Sequence, residues 1–487
     1  MSNSADKSQG DTRNQGTRSH DDPTPRGMAE FIKQGWADSP LLHIIEEPVV
    51  PYTRARQARL SQLYPGVRLV IPAGTLKARS NDTDYRFRPH SAFAWLTGIL
   101  ASDVVPDSVL VFEPTHDGHE VLLYVHPRSD RESEGFFTDS KHGEFWIGRR
   151  LTLDETARKY GVATRDRETL FDFLADSRET VTLRGVDKSV DKKIAKQKKR
   201  DRELEGILSE SRLIKDRYEL NEMQKAIDAT SRGFVDAVRS LPAAKSVTRG
   251  ERIIEAAFFG RARLEGNDLG YDTIAASGSH ACVLHWTRND GAVRDGDLLL
   301  LDAGVELESF YTADITRTLP VNGKFTPAQR KLYLLVYEAQ RAGFDAIKPG
   351  VPFIAVHEAA QAVLAKGLEE LGVLPVSAQE SLKSDAGYHR RWTVHGTCHM
   401  LGLDVHDCAQ ARENYKKGMI EEGMIFTVEP GLYIQQDDEL FPAEYRGIGI
   451  RIEDDILVTK NGAQVLSRSL PSHPDEIEVW LANIARN

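Results

Sequence analysis

Asp302, Asp314, His399, Glu429 and Glu453 are the residues of this chain whose types and settings most clearly carry chemistry. Four carboxylates and one imidazole offer hard oxygen donors and a single nitrogen. That set suits Mn²⁺, Co²⁺ or Zn²⁺ better than a thiolate-seeking metal. Four negative charges balance two divalent cations, and a buried site requires such a balance because unpaired buried charge is costly. The chemistry supported by a pair of such ions is hydrolysis.

Each residue lies in a segment able to present it. The apolar run Leu298 to Leu301 ends in Asp302-Ala303-Gly304, and Tyr311 to Thr316 reads as a second strand carrying Asp314. The midpoint is Glu308, so a hairpin turning in the polar stretch 306–309 is expected to set the two aspartates opposite each other on one face. In Gly449 to Asp454 the two-residue period puts Arg451 and Glu453 on one face and the isoleucines on the other. Glu429 closes a strand where Pro430 and Gly431 stop the ladder. His395 to His399 is a glycine-containing turn with two imidazoles, followed by Asp404-Val405-His406-Asp407. Any one of these pieces alone reads as a cap, a surface acid or a satisfied histidine; their joint occurrence within one domain-sized segment argues against coincidence.

The same residues carry a resemblance. Asp-Ala-Gly at 302–304, Asp-Ile-Thr-Arg-Thr-Leu-Pro at 314–320, His399 within His-Met-Leu-Gly-Leu-Asp-Val-His-Asp, Val-Glu-Pro-Gly-Leu-Tyr at 428–433 and Gly-Ile-Arg-Ile-Glu-Asp at 449–454 resemble the Xaa-Pro aminopeptidase (aminopeptidase P) and prolidase family. The similarity runs from about Tyr52 to Ile477. The segment Arg79 to Gly98 resembles that family's N-terminal domain, and Val321 to Thr326 is closer to aminopeptidase P than to prolidases.

The resemblance implies an α+β protein: a C-terminal pita-bread catalytic domain preceded by a smaller α/β N-terminal domain. It implies that Asp302, Asp314, His399, Glu429 and Glu453 hold two divalent ions, most readily Mn²⁺. Asp314 and Glu453 would bridge the pair, and a metal-bridging hydroxide would act as nucleophile. Glu429 would also move a proton to the leaving proline nitrogen. His285 matches a substrate-side residue, His395 one lining the leaving-group side, and His406 one that hydrogen-bonds the carbonyl oxygen or the intermediate. Arg451 would contact Asp302 or the distal end of the substrate. Cys398, where relatives carry a small residue, would pack as an apolar side chain. The implied activity is release of the N-terminal residue from peptides with proline second, by a homo-oligomer (dimer or tetramer). A prolidase restricted to Xaa-Pro dipeptides, or a catalytically dead peptide- or protein-binding relative, are the alternatives.

Composition agrees with such an enzyme. The 487 residues suffice for two domains. A net charge of −10 excludes nucleic-acid binding as the main role. Three cysteines argue against a disulfide framework. No apolar run reaches membrane-spanning length and no signal-peptide core is evident, so the cytoplasm is expected. Residues 1–27 read as a disordered tail, 28–211 as the α/β domain and 212–487 as the catalytic domain. Lys192 to Arg202 reads as one basic, solvated helix and Arg212 to Ala226 as the helix opening the catalytic domain. Thr248 to Glu251 and Thr326 to Gln329 both fit capping boxes.

Overall fold

The structure is a computed structural model that describes residues 25–37, 42–411, 415 and 418–486. Most of the expected N-terminal tail therefore lies outside the described residues; at its end a short helix, Arg26–Phe31, has already begun.

The first part of the chain builds a five-stranded mixed sheet in the order Ala163–Asp166, Gly118–Val125, Val109–Thr115, Arg68–Pro72, Thr180–Thr182. The two outer pairings are parallel and the two inner ones antiparallel. Side-chain alternation covers both faces. Leu69, Ile71, Leu110, Phe112 and Leu123 pack with Leu60, Phe93 and Leu96 from the helices on one side. Val70, Val111, Leu122 and Tyr124 pack with Leu170, Leu174 and Val190 on the other.

The second part sets long helices around small antiparallel sheets. Helix Arg217–Arg239 packs on Gly250–Glu265, and Pro327–Ala346 packs on Ile354–Glu370. Strands Ile274–Ser277, Leu298–Ala303 and Ile315–Pro320 form one sheet, and Ile425–Val428, Asp454–Thr459 and Gly462–Val465 form another. A Thr316–Glu453 bridge joins them. The two parts meet through ion pairs: Arg56 lies 2.6 Å from Asp216, and Arg88 lies 2.6 Å from Glu306.

Three local expectations change. The Lys192 to Arg202 run is two helices, Lys188–Lys193 and Lys198–Ser211. Its Asp201 is buried and accepts hydrogen bonds from Thr182, Arg184 and Gln197, so this stretch of chain is partly core. The helix expected from Arg212 starts at Arg217, because Asp216 caps it in a box with Glu219. The box at Thr326 forms, but the one at Thr248 does not. There Glu251 turns inward and accepts from the backbone of Ser277 and Gly291 instead.

Candidate metal centre

The hairpin carrying the two aspartates is centred one residue later than the midpoint of their positions suggests. Asp302 pairs with Thr316 and Ala303 with Ile315, so Asp314 sits diagonally from Asp302 rather than opposite. The physical reason is the turn. Leu307 N–H bonds the Tyr311 carbonyl, and Phe310 takes a left-handed conformation at φ 68° to close it. Regular pairing stops at Ala303, and the strand expected from Tyr311 begins at Ile315. An offset of two keeps both carboxylates on one face, and the Tyr271 hydroxyl donates to both, at 2.6 Å to Asp302 Oδ1 and 2.5 Å to Asp314 Oδ1. Gly304 is required by close approach: a Cβ there would lie 1.8 Å from the Ala313 carbonyl.

The other three expected ligands come from neighbouring edges. Glu429 follows strand Ile425–Val428 directly, and the segment bearing His399 runs antiparallel beside it, with Thr427 N–H bonded to the His399 carbonyl and Glu429 N–H to that of Thr397. Glu453 is held by the bridge to Thr316, whose hydroxyl donates to Glu453 Oε2 at 2.7 Å. His399 Nε2 lies 3.4 Å from Asp314 Oδ2 and 3.5 Å from Glu429 Oε1. Ligand atoms of Asp314, His399 and Glu453 all fall within 4.8 Å of one another. A cavity of about 630 Å³ is lined by all five, and by His285, His395, His406 and Arg451 as well.

Electrostatics mark this as a cation site. Burial, then the charges of Asp314, Glu429 and Asp302, hold the Glu453 carboxyl well above its ordinary range. Burial pushes Glu429 up to about 7, against the pull of His399 and Arg451. Burial and Asp314 also raise Asp302, against Arg451. For His399, burial favours the neutral ring, but Asp314 and Glu429 outweigh it and lift the imidazole to about 9. Packed carboxylates that repel one another while competing for one imidazolium are the arrangement that bound cations relieve.

Models of two protein families match the chain: metallopeptidase family M24 over residues 221–460, and the N-terminal domain of aminopeptidase P over residues 52–181. Xaa-Pro aminopeptidase 1 of Streptomyces coelicolor is 50% identical over 459 residues, covering 93% of this chain and 92% of its own. The chain belongs to the aminopeptidase P family of M24 metallopeptidases.

Solved structures of aminopeptidase P agree. That of Pseudomonas aeruginosa aminopeptidase PepP superposes with a TM-score of 0.78 at 31% identity, over 91% of this chain and all of that one. A zinc-substituted Escherichia coli aminopeptidase P in complex with product does so with a TM-score of 0.78 at 33% identity, over 90% of this chain and 99% of that one. The fold is therefore the α+β arrangement expected, an aminopeptidase P N-terminal domain followed by the M24 pita-bread domain. As a member of this family the chain is a metal-dependent peptidase, and its oxygen-rich donor set fits divalent ions.

Of the two contacts expected for Arg451, the structure shows the one to Asp302: its guanidinium bonds Asp302 Oδ2 at 2.5 Å. Sequence reasoning missed other side chains here. Arg451 Nη1 bonds the Tyr433 hydroxyl at 3.0 Å, and that oxygen lies 2.8 Å from His395 Nε2. Tyr433 stood in the Val-Glu-Pro-Gly-Leu-Tyr motif, whereas Tyr271 lies in no motif that points to it. Asp454 and Asp455, which alone read as a solvated acidic run, are buried: Arg317 pairs with Asp454 at 2.6 Å, and Asp455 accepts the Asp314 N–H at 3.2 Å. Cys398 lines the cavity and packs beside the cluster containing Phe353, Met400 and Phe426, and burial pushes its thiol up.

Proposed function

We propose that this protein is an exopeptidase releasing the N-terminal residue from peptides with proline in the second position. The observation that carries this reading is the convergence of the five oxygen and nitrogen donors and three further imidazoles on one cavity. Relatives named Xaa-Pro aminopeptidase at up to 50% identity support the same reading. An Xaa-Pro bond lacks the amide N–H and has a fixed φ, so it needs a shaped pocket over the reacting groups rather than a strand-like grip.

In this reading Asp302, Asp314, His399, Glu429 and Glu453 hold two divalent ions, with Mn²⁺ the native choice. When bound, such ions act as Lewis acids toward water and the peptide carbonyl. Glu429 takes the proton of the attacking water and delivers it to the leaving proline nitrogen; its position beside His395 and His399 supports this. His406, whose ring lies 4.3 Å from that of His399, donates to the carbonyl oxygen as negative charge grows there. Both His285 and His395 line the cavity, His285 toward the substrate and His395 toward the leaving group in this reading. Arg451 orients Asp302 and is pinned by Tyr433. The domain division at residues 28–211 and 212–487, a homo-oligomeric state and a cytoplasmic location complete the proposal. Three free cysteines are consistent with that location, and no helix of the described residues is long and apolar enough to cross a membrane.

The test is hydrolysis by metal-stripped protein with Mn²⁺ restored. Cleavage of Xaa-Pro-Xaa between its first two residues supports the proposal. Cleavage of Xaa-Pro dipeptides alone would make the enzyme a prolidase, and metal binding without either cleavage would make it a binding protein.

A further inference from the structure

Away from the catalytic cavity, Asp107, His126 and His142 bring one ligand atom each within 4.8 Å of the others. The strand register explains the first two. Val109 pairs with Tyr124, and continuing that antiparallel register by two residues sets Asp107 against His126 at the open end of the hairpin. Asp107 is held there in a left-handed conformation at φ 64°, its N–H bonded to the Gly74 carbonyl and its own carbonyl to Arg167. His142 arrives from the excursion that leaves the sheet at Val125, and its ring centroid lies 4.4 Å from that of His126. Arg150 ties the two histidine backbones together, donating to the carbonyl of each.

We infer that Asp107, His126 and His142 form a second metal site, for a divalent transition metal of the Zn²⁺ class, that staples the 126–150 excursion to the sheet. Two imidazole nitrogens and one carboxylate oxygen are a borderline-soft set that leaves the fourth tetrahedral position to water. The orientation of His142 is that of a metal-binding histidine. Its Nδ1 lies 3.1 Å from Asp139 Oδ2, which fixes the proton on that nitrogen. Its Nε2 is buried with no hydrogen-bond partner among the described residues. A carboxylate behind an imidazole whose other nitrogen faces a cluster is how such ligands are positioned.

The charges around the cluster are mixed. Arg167, Arg150 and Lys141 oppose a cation, while Asp139 and buried Asp187 favour one; Asp187 Oδ2 has no hydrogen-bond partner and lies 3.8 Å from Arg167. The excursion also has reason to need a staple. It contains two four-residue helices, Gly135–Thr138 and Glu144–Ile147, and leaves Phe145, Trp146 and Ile147 exposed. Phe136 and Phe137 are the only buried residues of these two helices, and a bound metal would add a second anchor to so small a core.

The full-length protein tests this directly. Bound zinc is measured after dialysis against dilute Zn²⁺ in wild type, His126→Asn and Asp107→Asn. Asparagine tolerates the left-handed backbone at 107, so the second variant keeps the fold while removing the charge. One zinc fewer per chain in both variants is expected, with Xaa-Pro cleavage unchanged. Hydrogen exchange of residues 126–150 should slow on adding Zn²⁺ to wild type and not in the variants. Wild-type zinc content in the folded variants would overturn the site, and zinc lost without any change in exchange would overturn its role as a staple.

Discussion

Arg451 donates to Asp302 Oδ2 at 2.5 Å from a position shielded from solvent, which fits the proposed role of orienting that carboxylate. Its remaining nitrogens are taken by Thr316 and Tyr433. Lysine cannot reproduce that fork. Arg451→Lys is expected to cut metal affinity or kcat/KM by about 10–100-fold, the usual cost of losing a group that orients a metal ligand. Metal titration alongside steady-state kinetics checks this, and a variant with raised KM alone would return Arg451 to substrate binding.

Glu429 faces two imidazoles, 3.5 Å from His399 through one oxygen and 3.5 Å from His395 through the other. Glutamine keeps the shape and would remove the proposed proton transfer. Glu429→Gln should retain part of its metal while kcat falls by about 10²–10⁴-fold. Wild-type turnover in a metal-loaded sample would refute the assignment.

Glu251 is fully buried and accepts from Ser277 N–H, Gly291 N–H, His280 and Trp286 at 2.6–2.8 Å. Those partners frame the loop that carries His285, so Glu251 positions a cavity residue that it does not touch. Glu251→Gln loses charge-assisted bonds worth about 1.5–3 kcal/mol each. A lower urea midpoint together with a raised KM is expected; loss of stability with unchanged KM would make the role purely structural.

Asp407 is buried with Lys215 at 3.1 Å and Arg212 at 3.2 Å. Burial disfavours its charge, but the two cations outweigh burial and hold the carboxyl at about 2. A depressed folded pKa gives stability that is complete above the unfolded value near 4 and is lost as pH falls from there through 2. Urea midpoints of the wild type should therefore drop between pH 4 and 2. Asp407→Asn should lack that component of the slope. It should also be less stable at pH 7 by about 3–5 kcal/mol, since it leaves buried Lys215 without its carboxylate and Arg212 with only Asp404, 3.8 Å away. Parallel pH profiles for the two proteins would contradict this.

The placing of the five candidate residues was legible in the sequence because strand periodicity and chain-breaking residues are local. Glu453 and Arg451 share a face because side chains alternate, with Ile450 and Ile452 buried on the other side. Glu429 ends its strand because Pro430 cannot donate to the ladder. Register and partner choice are not local. The shift that sets Asp302 diagonal to Asp314 depends on how Phe310 closes the turn, which the midpoint of the two positions cannot reveal. Thr248 and Glu251 satisfy the pattern of a capping box, yet four donors from 26 to 40 residues away in sequence claim the carboxylate first.

What the sequence determined by itself was the set of candidate residues, the strand ends that present them and the α+β class, all consequences of residue type and short-range spacing. Only the tertiary structure decided that Tyr271 bridges the two aspartates, that Tyr433 joins Arg451 to His395, and that Asp107, His126 and His142 converge in the N-terminal part. The reason is the same each time. These contacts join segments separated by many residues, and which distant partner satisfies a buried polar group is settled by packing rather than by local pattern.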